Sequence, residues 1–231
     1  MPSFLQRRQP NLTEQMDRDN CDSVLLKNTY LQFPLINQLL SQWKRIYKNE
    51  LRPLMSENRT YSVLDIGFGG GDVPVKLAKW AKEDKIQLNI TAIDTDRRAF
   101  DFVQKKYPEG LITWKHASST DLVLKKAQFD FVISNHLLHH LKDSEVSTLL
   151  REARELAAQK VIFNDIERSE TGYFLFNTFS RLIFKNSFIT QDGLTSIKRS
   201  FTRNELEKLV PSSWKVKRML PFRLLLIYER A

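Results

Sequence analysis

The stretch that decides the fold is Val63-Leu64-Asp65-Ile66-Gly67-Phe68-Gly69-Gly70-Gly71-Asp72. It begins as an apolar strand, passes into glycines and continues into a segment that we predict to be a helix starting near Val73. Gly67, Gly69 and Gly71 let the backbone turn sharply, and they let a ligand approach where any Cβ would clash. The stretch therefore predicts a ligand-binding turn between a strand and a helix.

The acidic residues of this turn indicate a cationic ligand. The dinucleotide-binding fingerprint requires glycine or alanine three positions after its second glycine, whereas this chain has Asp72 there. Asp65 lies two residues before the first glycine, where a carboxylate would repel a pyrophosphate but could accept a hydrogen bond from an amino group. The pattern therefore weighs against a nicotinamide-dependent oxidoreductase.

Short apolar runs alternate with helical stretches from residue 61 onward. Five of these runs are spaced by about 20 to 35 residues, as βαβ crossovers require, which predicts a parallel sheet covered by helices on both faces. Two final runs, Trp214–Met219 and Phe222–Tyr228, predict a closing antiparallel hairpin. The five predicted parallel strands are Tyr61–Ile66, Leu88–Ile93, Leu111–His116, Phe129–Ser134 and Val161–Asp165.

Helical segments flank this predicted sheet. Apolar residues in Ser23–Leu51 recur closer to a helical period than to alternation, which predicts one or two helices broken near Pro34. Thr171–Asn186 predicts an aromatic-rich helix, and Thr202–Glu205 has the form of a capping box at the start of another helix. We therefore expect an α/β fold with a Rossmann-like, seven-stranded, mostly parallel sheet, an antiparallel final hairpin and an N-terminal helical lid. The predicted division is a lid over residues 1–58 and a Rossmann-like domain over residues 59–231, with a helical insertion at about 167–200.

Composition limits the class of protein. The 231 residues are 42% hydrophobic and 27% charged, which is typical of a globular chain. The net charge of +9 is compatible with a nucleic-acid or membrane-surface partner, but the basic residues are spread along the chain without forming a block. Cys21 is the lone cysteine, and runs such as Leu224–Ile227 are far too short to cross a bilayer. We expect a soluble, cytoplasmic protein without membrane insertion.

The pattern Asp-x-Gly-x-Gly-x-Gly at Asp65–Gly71 resembles the first motif of class I S-adenosylmethionine-dependent methyltransferases, whose ligand carries an α-amino group and a sulfonium. The resemblance continues at Ile93-Asp94, where that class has an acidic residue that holds the ribose hydroxyls. It extends to His116–Leu122, the adenine-binding stretch, and to Phe129–Leu141, the fourth strand and the helix that follows. The resemblance implies S-adenosylmethionine as cofactor and S-adenosylhomocysteine as product. The implied cofactor-binding residues are Asp65, Gly67, Gly69, Gly71, Asp94, Thr95, Ser118, Ser119 and Asn135.

Several further motifs resemble small methyltransferases encoded beside type III polyketide synthases. They are Met16-Asp17, Ile36-Asn37, Asn164–Ser169, Tyr173, Gln191–Ile197 and Arg199–Thr202. This resemblance implies secondary metabolism and a small-molecule acceptor. We expect O-methylation of a phenolic or polyketide-like compound, with carbon and nitrogen transfer left open.

Four polar residues near these motifs are candidates for acceptor contacts. They are Arg168, Tyr173, Asp192 and Arg199. Arg168 with Asp192 could orient a polar acceptor, or each could form a structural salt bridge. The aromatic segment Thr171–Asn186 could likewise be core or an apolar wall of the acceptor pocket.

Two histidines are candidates for proton transfer. His139 and His140 follow the fourth predicted strand at the carboxyl edge of the sheet, where open α/β proteins bind ligands. A phenol, with a pKa of about 10, would benefit from a base, and either histidine could serve. We predict no metal, because no cluster of hard oxygen ligands suited to magnesium follows the strands.

Alternatives from other classes stay open at this point. An RNA methyltransferase is compatible with the basic charge. However, the fourth strand lacks the Asn-Pro-Pro-aromatic motif of enzymes that methylate exocyclic amines. Cys21 also lies far from any position for the cysteine nucleophile of cytosine-5 methyltransferases. A non-catalytic protein that binds S-adenosylmethionine is also compatible. As a partner, nucleic acid is less favoured than a small molecule. The sequence does not distinguish a monomer from a homodimer.

Overall fold

Seven strands form one sheet in the computed structural model, which describes residues 4–107, 110 and 112–230. Part of one predicted strand, Leu111, lies outside the described residues. The strands are β1 (Thr60–Ile66), β2 (Gln87–Asp94), β3 (Ile112–His116), β4 (Phe129–Asn135), β5 (Ala157–Ile166), β6 (Trp214–Met219) and β7 (Arg223–Glu229).

The strand order is β3-β2-β1-β4-β5-β7-β6. The first five strands pair in parallel, whereas β7 is antiparallel to both β5 and β6. The predicted sheet, with its parallel core and antiparallel final hairpin, is confirmed. The order reverses between β1 and β4, so a crevice for ligands is expected beyond the carboxyl ends of these two strands.

Helices cover both faces of the sheet. The stretch between the first helix and β1 continues as two π-helical segments, Asn37–Ser41 and Tyr47–Leu51, and a short 3-10 turn, Arg52–Leu54. Another 3-10 turn, Leu138–His140, follows β4. The α-helices are α1 (Ser23–Ile36), α2 (Trp43–Ile46), α3 (Asp72–Glu83), α4 (Arg97–Lys106), α5 (Ser119–Leu124), α6 (Asp143–Leu156), α7 (Glu170–Ile183), α8 (Ile189–Arg199) and α9 (Arg203–Leu209).

The break expected near Pro34 does not occur there. Helix α1 contains Pro34 and continues to Ile36, and the first left-handed residue is Gln42, with φ of 50°. Tertiary contacts hold the helix through the proline, since the Pro34 carbonyl accepts a hydrogen bond from Lys76 Nζ at 2.7 Å. The Lys76 contact thus attaches this part of α1 to α3, although Pro34 has no amide to donate to the Tyr30 carbonyl.

The core lies on both sides of the sheet because alternate residues of each strand point to opposite faces. Leu64 of β1 packs with Val132 of β4 on the face covered by α6. Val63 packs with Phe131 on the other face, against α2 and α3. Because both faces of the sheet are buried, the carboxyl end of β1, where the glycine turn begins, is held in place. Among the described residues, none of the helices combines the length and apolar character that a membrane span requires.

Candidate functional site

The glycine turn lies between β1 and α3, as expected. Gly67, Gly69 and Gly71 have φ values of 78°, 51° and 75°, which side-chain-bearing residues rarely adopt. A Cβ on Gly71 would come within 2.8 Å of the Trp114 ring and 2.9 Å of Val103. Glycine is therefore required at this turn both by conformation and by close packing.

Asp65 is the most unusual group at this edge of the sheet. It is 1% exposed, and neither carboxylate oxygen has a hydrogen-bond partner among the described residues. Burial, with Asp94 and Asp72 nearby, raises the pKa of the Asp65 carboxyl well above its usual range. Because Asp65 also lines a large cavity, this unpartnered acceptor faces space that a ligand could fill.

Asp94 ends β2 and supports the glycine turn. Its Oδ2 accepts a hydrogen bond from the Gly69 N–H at 2.8 Å, and its Oδ1 accepts one from the Asp96 N–H at 2.9 Å. Burial raises the pKa of Asp94, although these two hydrogen bonds act to lower it. Each carboxylate oxygen has a second lone pair, so Asp94 can still accept from a ligand.

Two cavities meet at this edge of the sheet. The smaller, of about 370 Å³, and the larger, of about 830 Å³, share Gly67, Asp94, Thr95 and Leu137 among their lining residues. The shared residues place Thr95, a predicted cofactor residue, at the junction of the two spaces. Each cavity has a volume in the range of small-molecule sites.

The smaller cavity contains the two predicted serines. Ser118 caps α5 and forms a capping box with Asp121. Ser119 Oγ donates to Glu152 Oε2 at 2.6 Å. Both serines line the cavity, but their side chains already have protein partners.

The predicted residue Asn135, at the end of β4, joins the larger cavity to the N-terminal helices. Its Nδ2 donates to Asn37 Oδ1 at 3.2 Å, and Asn37 in turn donates to Asp72 Oδ1 at 2.9 Å. Its Oδ1 accepts from Arg223 Nη2 at 3.2 Å. Asn135, Asn37 and Arg223 all line the larger cavity.

The predicted histidines meet three carboxylates at the larger cavity. His139 Nδ1 lies 2.6 Å from Asp165 Oδ1, and its Nε2 lies 3.5 Å from Glu14 Oε1. His140 Nδ1 lies 3.0 Å from Asp17 Oδ2, and its Nε2 lies 3.8 Å from Glu14 Oε1. Burial would lower the pKa of His139, but the Asp165 and Glu14 carboxylates raise it to about 9. His139 is therefore an imidazolium at neutral pH.

The four candidate acceptor residues fall into two groups. Asp192 and Arg199 line the larger cavity, whereas Arg168 and Tyr173 are not among the residues that line it. Tyr173 packs edge-on against the Phe4 ring, with centroids 5.1 Å apart. The structure thus brings two of the four candidates to the same space as the histidines.

Arg168 does not pair with Asp192. Its guanidinium donates instead to Glu205 Oε2 at 2.8 Å and to the Ser200 carbonyl at 2.7 Å. Glu205 is available because the capping box of α9 fixes it at the helix start. Arg168 therefore binds Glu205 and a backbone carbonyl, and it does not line the larger cavity.

Asp192 holds the N-terminal segment. Its carboxylate accepts hydrogen bonds from the Gln15 and Met16 N–H groups at 2.6 and 3.0 Å, and burial raises its pKa to about 6. Arg199 donates to the His139 and His140 carbonyls at 3.2 and 2.9 Å. Asp192 thus holds the backbone at Gln15 and Met16, and Arg199 holds the backbone of the two histidines.

Sequence reasoning missed Glu14, Asn37 and Arg223 as residues of this site. Arg223 is fully buried, and its Nη1 lies 3.1 Å from His136 Nε2. Desolvation lowers the pKa of Arg223 to about 10, against the opposing effect of Asp165. Asn37 lies in the Ile36-Asn37 motif, which gave no role for its side chain, whereas no local motif surrounds Glu14 or Arg223, so only the fold identifies these two.

Comparison with known proteins agrees with this geometry. Residues 63–160 match the family profile of the methyltransferase domain. This part of the chain is therefore similar to a methyltransferase domain. An uncharacterized methyltransferase of Mycobacterium tuberculosis is 32% identical over 102 residues, which are 44% of this chain and 49% of that protein. An uncharacterized methyltransferase of Mycobacterium bovis matches equally well, so the chain spans about half the length of the curated relatives it matches.

Solved structures share the fold of most of this chain. A SAM-dependent methyltransferase from Aquifex aeolicus superposes with a TM-score of 0.61 at 17% identity, over 89% of this chain and 97% of that one. The plantazolicin methyltransferase BpumL, solved with SAH, gives a TM-score of 0.57 at 13% identity, over 90% of this chain and 96% of that one. At these identities the likeness concerns the fold, and it confirms the predicted Rossmann-like architecture.

Proposed function

We propose that this chain is an S-adenosylmethionine-dependent methyltransferase that acts on a small-molecule acceptor. The observation that carries the proposal is the unpartnered Asp65 carboxylate, buried beneath the glycine turn and lining the larger cavity. A buried carboxylate without a donor is costly, and the α-amino group of the cofactor is a donor of the right charge. The methyltransferase domain match over residues 63–160 supports the same assignment.

The residues around Asp65 suit the rest of the cofactor. Asp94 would accept from the ribose hydroxyls with its remaining lone pairs, and Gly69 and Thr95 lie beside it. The smaller cavity, lined by Ser118 and Ser119, would hold the adenine. When bound, S-adenosylmethionine supplies a methyl group on a positively charged sulfur.

The acceptor is proposed to bind in the larger cavity, as a phenolic or polyketide-like compound methylated at oxygen. Apolar side chains such as Leu40, Phe176 and Phe184 line this space and suit an apolar acceptor. The resemblance to methyltransferases encoded beside type III polyketide synthases supports an acceptor of this class. Aligning the acceptor oxygen with the methyl group would be the main contribution of the protein.

His140 is the proposed proton acceptor. His139, with a pKa of about 9, already carries a proton at neutral pH, and carboxylates flank both its nitrogens. His140 is a quarter exposed, and Asp17 holds its Nδ1 so that Nε2 is directed towards Glu14 at the larger cavity. His139 would then stabilise negative charge near the acceptor, and His140 would take the proton.

Residues 1–58 are proposed to act as a lid with the insertion at about 167–200. The N-terminal segment bonds directly to α8, through the Gln9 N–H to the Lys198 carbonyl at 3.0 Å and through Asp192 to Gln15 and Met16. Ser196 Oγ donates to Glu14 Oε1 at 2.7 Å. These bonds support the proposed lid, because the same N-terminal segment carries Glu14 and Asp17, which contact the histidines.

Calorimetry with S-adenosylhomocysteine tests the cofactor assignment. We expect a Kd in the micromolar range or tighter, which corresponds to about 8 kcal/mol or more. Binding of NADH without binding of S-adenosylhomocysteine would refute it. A mass-spectrometric screen of phenolic acceptors with labelled S-adenosylmethionine, comparing the natural chain with His140→Ala, then tests the acceptor class and the base.

A further inference from the structure

Two segments that border the larger cavity contain no acidic residue. Residues 23–49 and 171–190 lack Asp and Glu, although the chain has 27 acidic residues among 231. They carry basic residues instead. These are Lys27, Lys44, Arg45, Lys48, Arg181 and Lys185. Glu170, the first residue of α7, lies just outside the second segment, so residues 23–49 and 171–190 themselves carry only neutral or positive side chains.

Large apolar side chains are exposed on these segments and on the turn between β6 and β7. Leu182 on α7 is 71% exposed, and Leu220, in the turn between β6 and β7, is 78% exposed. Leu39, Leu175 and Phe179 are each about half exposed and also line the larger cavity. The cavity thus reaches solvent among apolar side chains. We call the set Leu35, Leu39, Leu175, Phe179, Leu182 and Leu220 the apolar rim.

Hydrogen bonds unite the three elements that carry the apolar rim. Asn28 Nδ2 donates to the Asn186 carbonyl at 2.9 Å, and Gln32 Nε2 donates to the Lys185 carbonyl at 3.0 Å, so α1 is fixed to the end of α7. Gln42 Nε2 donates to the Leu220 carbonyl, which attaches the hairpin turn. The rim is therefore one surface, and in the sequence Arg181 and Lys185 flank Leu182, while Lys44 and Arg45 follow Gln42.

We propose that the apolar rim docks the protein on an anionic lipid membrane. Exposed apolar side chains bordered by lysine and arginine suit the headgroup region, where the former enter the acyl boundary and the latter meet anionic headgroups. A second copy fits less well, because a two-fold contact through this surface would set basic residues against each other and cover the cavity. With the proposed function as its basis, this docking would let an apolar acceptor pass directly from the lipid into the cavity.

Vesicle flotation of the untagged full chain tests the docking. We expect binding to vesicles of phosphatidylcholine with phosphatidylglycerol, and weak binding to phosphatidylcholine alone or at high salt. Leu182→Gln and Leu220→Gln should each weaken binding about tenfold, because each removes an apolar side chain from the lipid contact. Leu124→Gln is the matched control, since Leu124 is 76% exposed on α5, outside the rim, and its change should leave binding unaltered.

Three results would overturn the proposal. The first is no flotation with any vesicle. The second is equal binding by Leu182→Gln and Leu124→Gln, which would mean that charge alone holds the protein. The third is a dimer in light scattering that Leu182→Gln dissociates, which would assign the rim to a second copy. Calorimetry with S-adenosylhomocysteine on the same samples separates these results from a failure of the proposed function.

Discussion

Replacement of Asp65 by asparagine should stabilise the ligand-free protein while weakening cofactor binding. Both carboxylate oxygens are buried without a partner, and such a group costs about 1–3 kcal/mol, more when charged. Removing the charge should therefore raise the melting temperature by about 2–4 °C for each kcal/mol recovered. Loss of a charge-assisted hydrogen bond of about 1.5–3 kcal/mol should weaken S-adenosylhomocysteine binding by roughly 10- to 150-fold.

The pH dependence of this effect has a defined sign. The folded-state pKa of Asp65 is raised, so the protonated carboxyl stabilises the fold at low pH and that stability is lost as pH rises through the folded-state pKa. The melting-temperature gain of Asp65→Asn should thus be largest under alkaline conditions and should shrink as pH falls towards about 4, near the ordinary aspartate pKa. Differential scanning fluorimetry across this range measures the gain directly.

Asp130 provides the matched control. It is also buried, but its carboxylate accepts hydrogen bonds from the Ser62 N–H at 2.8 Å and from Gln159 Nε2 at 2.8 Å, and it pairs with Arg59. Asp130→Asn should therefore lower the melting temperature and leave S-adenosylhomocysteine affinity unchanged. The assignment of Asp65 to the cofactor would be refuted if Asp65→Asn had a lower melting temperature than the natural chain and the same affinity for S-adenosylhomocysteine.

Three further predictions concern other parts of the site. Asp94→Ala should weaken S-adenosylhomocysteine binding by roughly 1.5–3 kcal/mol in calorimetry, and an unchanged Kd would mean that another residue holds the ribose. Gly193→Ala should raise the acceptor KM at unchanged cofactor Kd, because its Cβ would collide with the Phe176 ring and strain the cavity wall by about 1–3 kcal/mol. Steady-state kinetics that give the same acceptor KM for this variant and for the natural chain would contradict this. The pKa of His139 is raised to about 9, so its contribution to stability is complete below about pH 6.5 and is lost as pH rises through 9. Thermal melts from pH 7 to about 10 should thus fall more steeply for the natural chain than for His139→Gln, and parallel curves would contradict the ion pair with Asp165.

The elements of the fold could be predicted because their signals are local. Alternating and continuous apolar runs predicted the five parallel strands and the final hairpin, and the capping box predicted the start of α9. The glycine turn and Asp65 were predicted because backbone conformation and charge are encoded within a few consecutive residues. The break near Pro34 was wrong because a contact from Lys76, distant in sequence, supports that helix.

The sequence by itself thus determined the sheet, the glycine turn and the positions of Asp65 and Asp94 at the carboxyl ends of their strands, since each depends on neighbouring residues. Only the tertiary structure decided which side chains meet across the cavity. Asp17 reaches His140 over a separation of 123 residues, and Arg168 pairs with Glu205 instead of Asp192. Such pairings depend on how whole helices pack on the sheet, and packing is set by the shape of every surface in contact rather than by the residues next to each partner in the chain.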